Sequence, residues 1–183
     1  MKEPKLLILG VLGIFLAMLV VLRFFPEKWS SGDEVVPETS HEFALKSVSS
    51  EDILNLVKAR ESKLSLVNLW ATFCGACIAE FPDLLRAYRE YRDQGLDLIF
   101  VSLDEESERG AAQEFLDDQR VDFQTYIKKE ADQEFLKSIH PDWKGVIPVS
   151  LFYDSKGNLL EFVQEPMTFE QIEARILKYL GNH

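Results

Sequence analysis

The sequence predicts an α/β domain with a mixed central sheet and helices on both faces, preceded by one N-terminal transmembrane helix. Three observations carry this. Short apolar runs of strand length alternate with segments whose apolar residues recur at helical spacing. The last two strand-like runs flank a tight turn, Asp154-Ser155-Lys156-Gly157-Asn158, which makes a terminal hairpin. Residues 6–22, LLILGVLGIFLAMLVVL, carry no charge.

The uncharged run would span about 26 Å as a helix, near the lower limit for crossing a bilayer. Arg23 can snorkel and let Phe24 and Phe25 extend it. A cleaved signal peptide is the rival reading. Its apolar stretch is normally shorter, about 7–15 residues, with a small-x-small site close behind, whereas Arg23-Phe24-Phe25-Pro26 follows directly here. No cysteine follows the run, which excludes a lipid-modified N-terminal cysteine. Residues 1–25 therefore read as an uncleaved anchor and 26–40, with two prolines, as a linker. Lysine and arginine tie across the span, so charge does not set its orientation.

Residues 41–183 read as one domain, consistent with 46% hydrophobic and 28% charged residues in the chain. The chain's net charge is −11, and no basic patch suits a phosphate backbone, so nucleic-acid binding is not expected.

Along this domain, residues 43–46 read as a short strand, and Ser49…Asp52 as a cap opening a helix with Ile53, Leu54, Leu56 and Val57. Leu64–Trp70 is a buried strand. A helix over 75–92 carries Ile78, Phe81, Leu84, Leu85, Tyr88 and Tyr91. A second buried strand covers 96–103, then a helix 107–119, a strand 123–127 and a short helix 131–138. The hairpin strands are 149–153 and 159–163. Thr168-x-x-Gln171 caps the last helix, with Phe169, Ile172, Ile176, Leu177 and Leu180 on one face.

The chemistry lies at Cys74-Gly75-Ala76-Cys77, which contains the only two cysteines of the chain. A disulfide framework and a Cys₄ zinc site are thereby excluded within one chain. The pair falls where a buried strand ends and a helix begins. Backbone N–H groups and the helix dipole there favour a thiolate, so Cys74 is expected to be the low-pKa, exposed attacker and Cys77 the more buried resolving thiol. A purely structural disulfide is a poor alternative, because so small a ring removes little entropy from the unfolded chain. Two inert buried thiols remain the other alternative.

From Leu66 to Pro82 the chain reads LVNLWATFCGACIAEFP, which resembles the active-site segment of TlpA/ResA-like membrane-anchored thioredoxins. Gly145-Val146-Ile147-Pro148-Val149, then Asp154-x-x-Gly157, resembles a second motif of that family, and the likeness extends over most of 41–183. The resemblance implies a thioredoxin-like fold and a thiol–disulfide oxidoreductase on the extracytoplasmic side of a bacterial membrane, with the N-terminus inside. It implies a cis peptide bond before Pro148, against the CxxC, with Ile147 and Pro148 touching substrate. Trp70 either shields the sulfurs, as the family implies, or is core at a strand end. The implied partners are disulfide-containing substrate proteins such as apocytochrome c and a transmembrane thiol donor of the DsbD/CcdA type; no cofactor and no metal is implied.

There are departures. Ala76 stands where thioredoxins usually have proline, and Phe73 where tryptophan is common. Asn68 stands where plain thioredoxin has a buried aspartate that moves the resolving cysteine's proton. Glu80, one turn after Cys77, is the candidate to replace it; a solvated helix residue is the alternative. The Gly75-Ala76 dipeptide offers the thiolate neither charge nor side-chain donor, which favours a reductant over an oxidant. A different class is a copper-delivery protein of thioredoxin-like fold using Cys74, Cys77 and His140, although such carriers usually show CxxxC and His140-Pro141 also reads as a helix stop.

Overall fold

The computed structural model describes residues 43–181, Glu130 excepted. The expected transmembrane helix and linker lie outside the described residues, and among the described residues no helix is long and apolar enough to cross a membrane.

The chain runs β1 (Lys46–Val48), α1 (Ser50–Ala59), β2 (Leu64–Trp70), α2 (Gly75–Tyr91), β3 (Leu96–Ser102), α3 (Arg109–Asp118), β4 (Tyr126–Lys128), α4 (Asp132–Ile139), β5 (Val149–Asp154), β6 (Leu159–Val163) and α5 (Phe169–Leu180). The strands form one sheet in the order β1-β4-β3-β2-β5-β6. The first four in that order are parallel; β5 runs antiparallel to β2, and β6 antiparallel to β5. This is the mixed sheet expected. β2 and β3 pair from Leu64↔Leu96 to Trp70↔Ser102, so both strands end together beside the CxxC.

Every residue of β2 is buried, the polar Ser65 and Asn68 included, as a central strand covered on both faces requires. Alternation sorts its side chains. Leu64, Leu66 and Trp70 join Phe81, Leu84 and Leu85 of α2, Ala112 and Leu116 of α3, and Phe169, Ile172 and Ile176 of α5. Val67 and Leu69 join Ile53 and Val57 of α1 with Phe135 and Trp143 on the other face. Both expected helix caps form: Ser49 and Asp52 exchange side-chain-to-backbone bonds, and so do Thr168 and Gln171. Gly157 has φ +80, a conformation that side chains rarely adopt, so the hairpin turn needs glycine.

β3 and β5 differ from expectation by one residue at the end; two strands differ by more. β1 starts at Lys46 rather than residue 43 because side chains take the preceding main-chain groups. Leu45 N–H donates to Gln113, Leu45 O accepts from Arg109, and Ala44 O accepts from Gln124. β4 covers Tyr126–Lys128 rather than 123–127; Phe123 instead packs its ring on Tyr88, 4.7 Å between centroids. The expected helix over 107–119 is a 3₁₀ turn, Glu106–Glu108, running into α3.

Candidate active site

β2 delivers the chain to the CxxC and α2 carries it away. Cys74 is the N-cap of α2, in extended backbone, and Cys77 lies in the helix's first turn. The two sulfurs are bonded in a disulfide. Cys77 N–H donates to Cys74 Sγ at 3.1 Å, the capping bond that a serine would make at this position. Cys74 is 9% exposed and Cys77 1%, so Cys74 is the less buried of the pair. The dipole and free amides of a 17-residue helix converge on it.

The loop before β5 closes over this end. The Ile147–Pro148 bond is cis. Cys74 Sγ lies 3.7 Å from Ile147 O. Pro148 is buried, while Val146 is 59% exposed. Phe73, the residue before Cys74, is 71% exposed. Two large apolar side chains are therefore exposed next in sequence to Cys74 and to Ile147. Trp143 shapes this loop by donating its indole N–H to Val146 O at 2.9 Å. Sequence reading passed over it; an aromatic two residues before Gly145, which has φ +83, was the available signal.

Trp70 is fully buried, its ring 5.2 Å from Phe81 and 5.0 Å from Phe115, in the same apolar cluster as both cysteines. Asn68, on the same sheet face, donates to Ser150 Oγ at 3.1 Å, and its carbonyl oxygen has no partner among the described residues.

Glu80 is not a solvated helix residue: it is 3% exposed. One carboxylate oxygen accepts from Met167 N–H at 3.2 Å and the other has no partner among the described residues. Burial, with some help from the nearby Asp83 charge, pushes its pKa up to about 7, against the bond from Met167. A carboxyl titrating near neutrality one helical turn from a buried thiol can take up or give a proton at working pH.

That shift has a consequence for stability. The raised folded-state pKa means that the protonated form is favoured in the fold. The stabilisation is complete below the usual value of 4.5 and is lost as pH rises through about 7. For the disulfide form, urea unfolding at pH 5 and pH 8 is expected to show Glu80→Gln gaining on the wild type by on the order of 2 kcal/mol. A difference between the two proteins that does not change with pH would return Glu80 to an ordinary ionised state.

The structure does not bring His140 to the cysteines. Its ring stacks on Phe162 at 4.0 Å and its Nδ1 accepts from Asp142 N–H. Among the described residues no three His, Cys, Asp or Glu side chains gather in a metal-binding group, so the Cys74, Cys77 and His140 set of the copper reading is not assembled.

Comparison with known proteins adds to this geometry. The AhpC/TSA family model matches residues 36–162. The thiol-disulfide oxidoreductase ResA of Oceanobacillus iheyensis is 29% identical over 141 residues, 76% of this chain and 70% of that one. The ResA of Halalkalibacterium halodurans is 25% identical, covering 92% and 89%. Among solved structures, a thioredoxin-family thiol:disulfide interchange protein from Chlorobium tepidum superposes with a TM-score of 0.57 at 20% identity, over 69% of this chain and 84% of that one. StoA from Bacillus subtilis gives 0.52 at 21% identity, over 63% and 84%. These structures share the fold.

Proposed function

The chain belongs to the AhpC/TSA family and is a thioredoxin-like thiol–disulfide oxidoreductase, and from that premise we propose that it is a membrane-anchored, extracytoplasmic reductant of protein disulfides. The observation that carries the proposal is Cys74 at the N-cap of α2, the more exposed sulfur of the pair, accepting the Cys77 amide.

The dithiol form starts the reaction. The Cys74 thiolate, held by the helix N-terminus, attacks one sulfur of a partner's disulfide. The partner's S–S bond breaks, a Cys74–partner bond forms, and the first partner thiolate leaves and takes a proton from water. Cys77 then loses its proton and attacks Cys74 Sγ. Glu80, with a pKa near 7, is the group we assign to receive that proton. The mixed disulfide breaks, the second partner thiolate departs, and the chain is left as the Cys74–Cys77 disulfide. Two electrons have passed to the partner. Phe73 and Val146 give an apolar flank for the partner's chain, with Ile147 O and the buried Pro148 against Cys74; Trp70, fully buried, is core at the end of β2 and touches no partner.

The uncharged run at 6–22 supports an N-terminal anchor with the domain outside, where disulfides persist and a tethered reductant has work to do. A structural neighbour described as a secreted thiol-disulfide isomerase, from Corynebacterium glutamicum, is in keeping with that placement. Apocytochrome c is a candidate substrate, and a transmembrane thiol carrier of the DsbD/CcdA type a candidate electron source.

The direction is testable by equilibration with glutathione. Thioredoxin lies near −270 mV and the oxidant DsbA near −120 mV. With no charge or side-chain donor at Gly75-Ala76, the dithiol is weakly stabilised and a potential nearer −270 mV is expected. A chain that stays reduced in a mildly oxidising glutathione buffer and oxidises test thiols would be an oxidase instead.

A further inference from the structure

The loop between β2 and the CxxC is gripped from β3 by one buried carboxylate. β2 ends at Trp70, whose carbonyl accepts Leu103 N–H at 2.8 Å, the last rung of the parallel pairing. Two residues on stands the amide of Thr72. It donates to both oxygens of Asp104, each at 3.1 Å, and the Thr72 hydroxyl donates to Oδ1 at 2.6 Å. Ser102 Oγ donates to Oδ2 at 2.6 Å and accepts Asp104 N–H at 3.0 Å. Asp104 and Ser102 are fully buried.

Burying a carboxylate is costly unless each oxygen is satisfied. Here the donors that satisfy it belong to the end of β3 and to the residue two before Cys74. The rest of that loop is weakly held on its outer side: Phe73 is 71% exposed, and the Cys74 amide is tied only locally, to Ala71 O at 3.1 Å. Thr72 thus links the rigid end of the sheet to the backbone that presents the sulfur.

We propose that Asp104 is a positioning residue for Cys74: by holding the Thr72 amide and hydroxyl, it fixes the loop that sets Cys74 Sγ at the N-terminus of α2. The proposal rests on the reading of Cys74 as the attacking thiol. A loop that drifts would lose the alignment of Sγ with the Cys77 amide, the contact that holds a thiolate. Misplacement of a reacting group by about 1 Å can slow a reaction up to 10²-fold.

The test is the rate at which iodoacetamide alkylates the reduced full-length chain at pH 7, with the labelled residue read by peptide mass. Circular dichroism and Tm are taken in parallel. Thr72→Val keeps the Asp104 charge and removes one donor; it is expected to slow Cys74 labelling roughly three- to tenfold. Thr72→Ser restores the donor and should label at close to the wild-type rate. Asp104→Asn keeps an acceptor for the Thr72 amide and should be slower than wild type. A folded Thr72→Val protein that labels as fast as wild type refutes the proposal, whatever its Tm. Faster labelling in Asp104→Asn, with Thr72→Val unchanged, would mean that Asp104 acts by charge and not by grip, and also overturns it. Should Asp104→Asn fail to fold, the Thr72 pair decides. First labelling at Cys77 in the wild type is a separate result: it overturns the reading of Cys74, and the proposal with it.

Discussion

Cys74→Ser is expected to abolish disulfide exchange, leaving at most the background rate of the thiol buffer. The chain has only two cysteines, so no third thiol can substitute. Serine would keep the N-cap bond to the Cys77 amide, and the fold should tolerate the change. Its hydroxyl is protonated at neutral pH and cannot form a disulfide. Cys77 remains, but it is 1% exposed and lacks access to a partner's sulfur. Reduction of insulin or another disulfide test protein would read the loss. Residual activity within tenfold of wild type would mean that Cys77 attacks partners directly.

Phe81→Ala should have the largest effect on stability. Phe81 is fully buried on α2, stacked on Phe100 at 4.1 Å and edge-on to Trp70 and Phe115 at 5.2 and 4.9 Å. Truncation removes these contacts and leaves a cavity lined by rigid rings and strands, which cannot collapse easily. The expected cost is about 3–5 kcal/mol, a Tm fall on the order of 10 °C or more. Denaturant melts of the disulfide form would measure it. The hole also lies between the helix that carries Cys77 and the sheet, so exchange should weaken at temperatures where the protein is still folded. A cost below about 1 kcal/mol would contradict this packing.

What the sequence made legible, and what it hid, follows the range of the interactions. β2 has the bounds that its pattern predicts, because a central strand covered on both faces is recorded in its own residues, and β6, at the sheet edge, is bounded by the hairpin turn before it. The CxxC at a strand-to-helix junction is equally local. β1 was displaced by partners far along the chain: Gln113 and Arg109 take the main-chain groups of Leu45 across separations of 68 and 64 residues. The environment of Glu80 is set by Met167, 87 residues away, so sequence could nominate the residue but not its burial. Asp104 was passed over because an acid after an apolar strand looks like ordinary loop. Only the register of β2 with β3 brings it under Thr72. Likewise, the presence of His140 before Pro141 says nothing of its ring, which stacks on Phe162 of β6.

The most direct measurement is the product formed by Cys77→Ser in a bacterial membrane. Without the resolving thiol, the mixed disulfide at Cys74 should persist. Cells are quenched in acid, free thiols are blocked, and the full-length chain is purified without reductant and identified by mass. The expected result is Cys74 joined by a disulfide to partner proteins, with the adducts absent from the Cys74→Ser variant. Free Cys77→Ser chain with no adduct, or equal adducts on Cys74→Ser, would contradict the assignment of attack to Cys74 and resolution to Cys77.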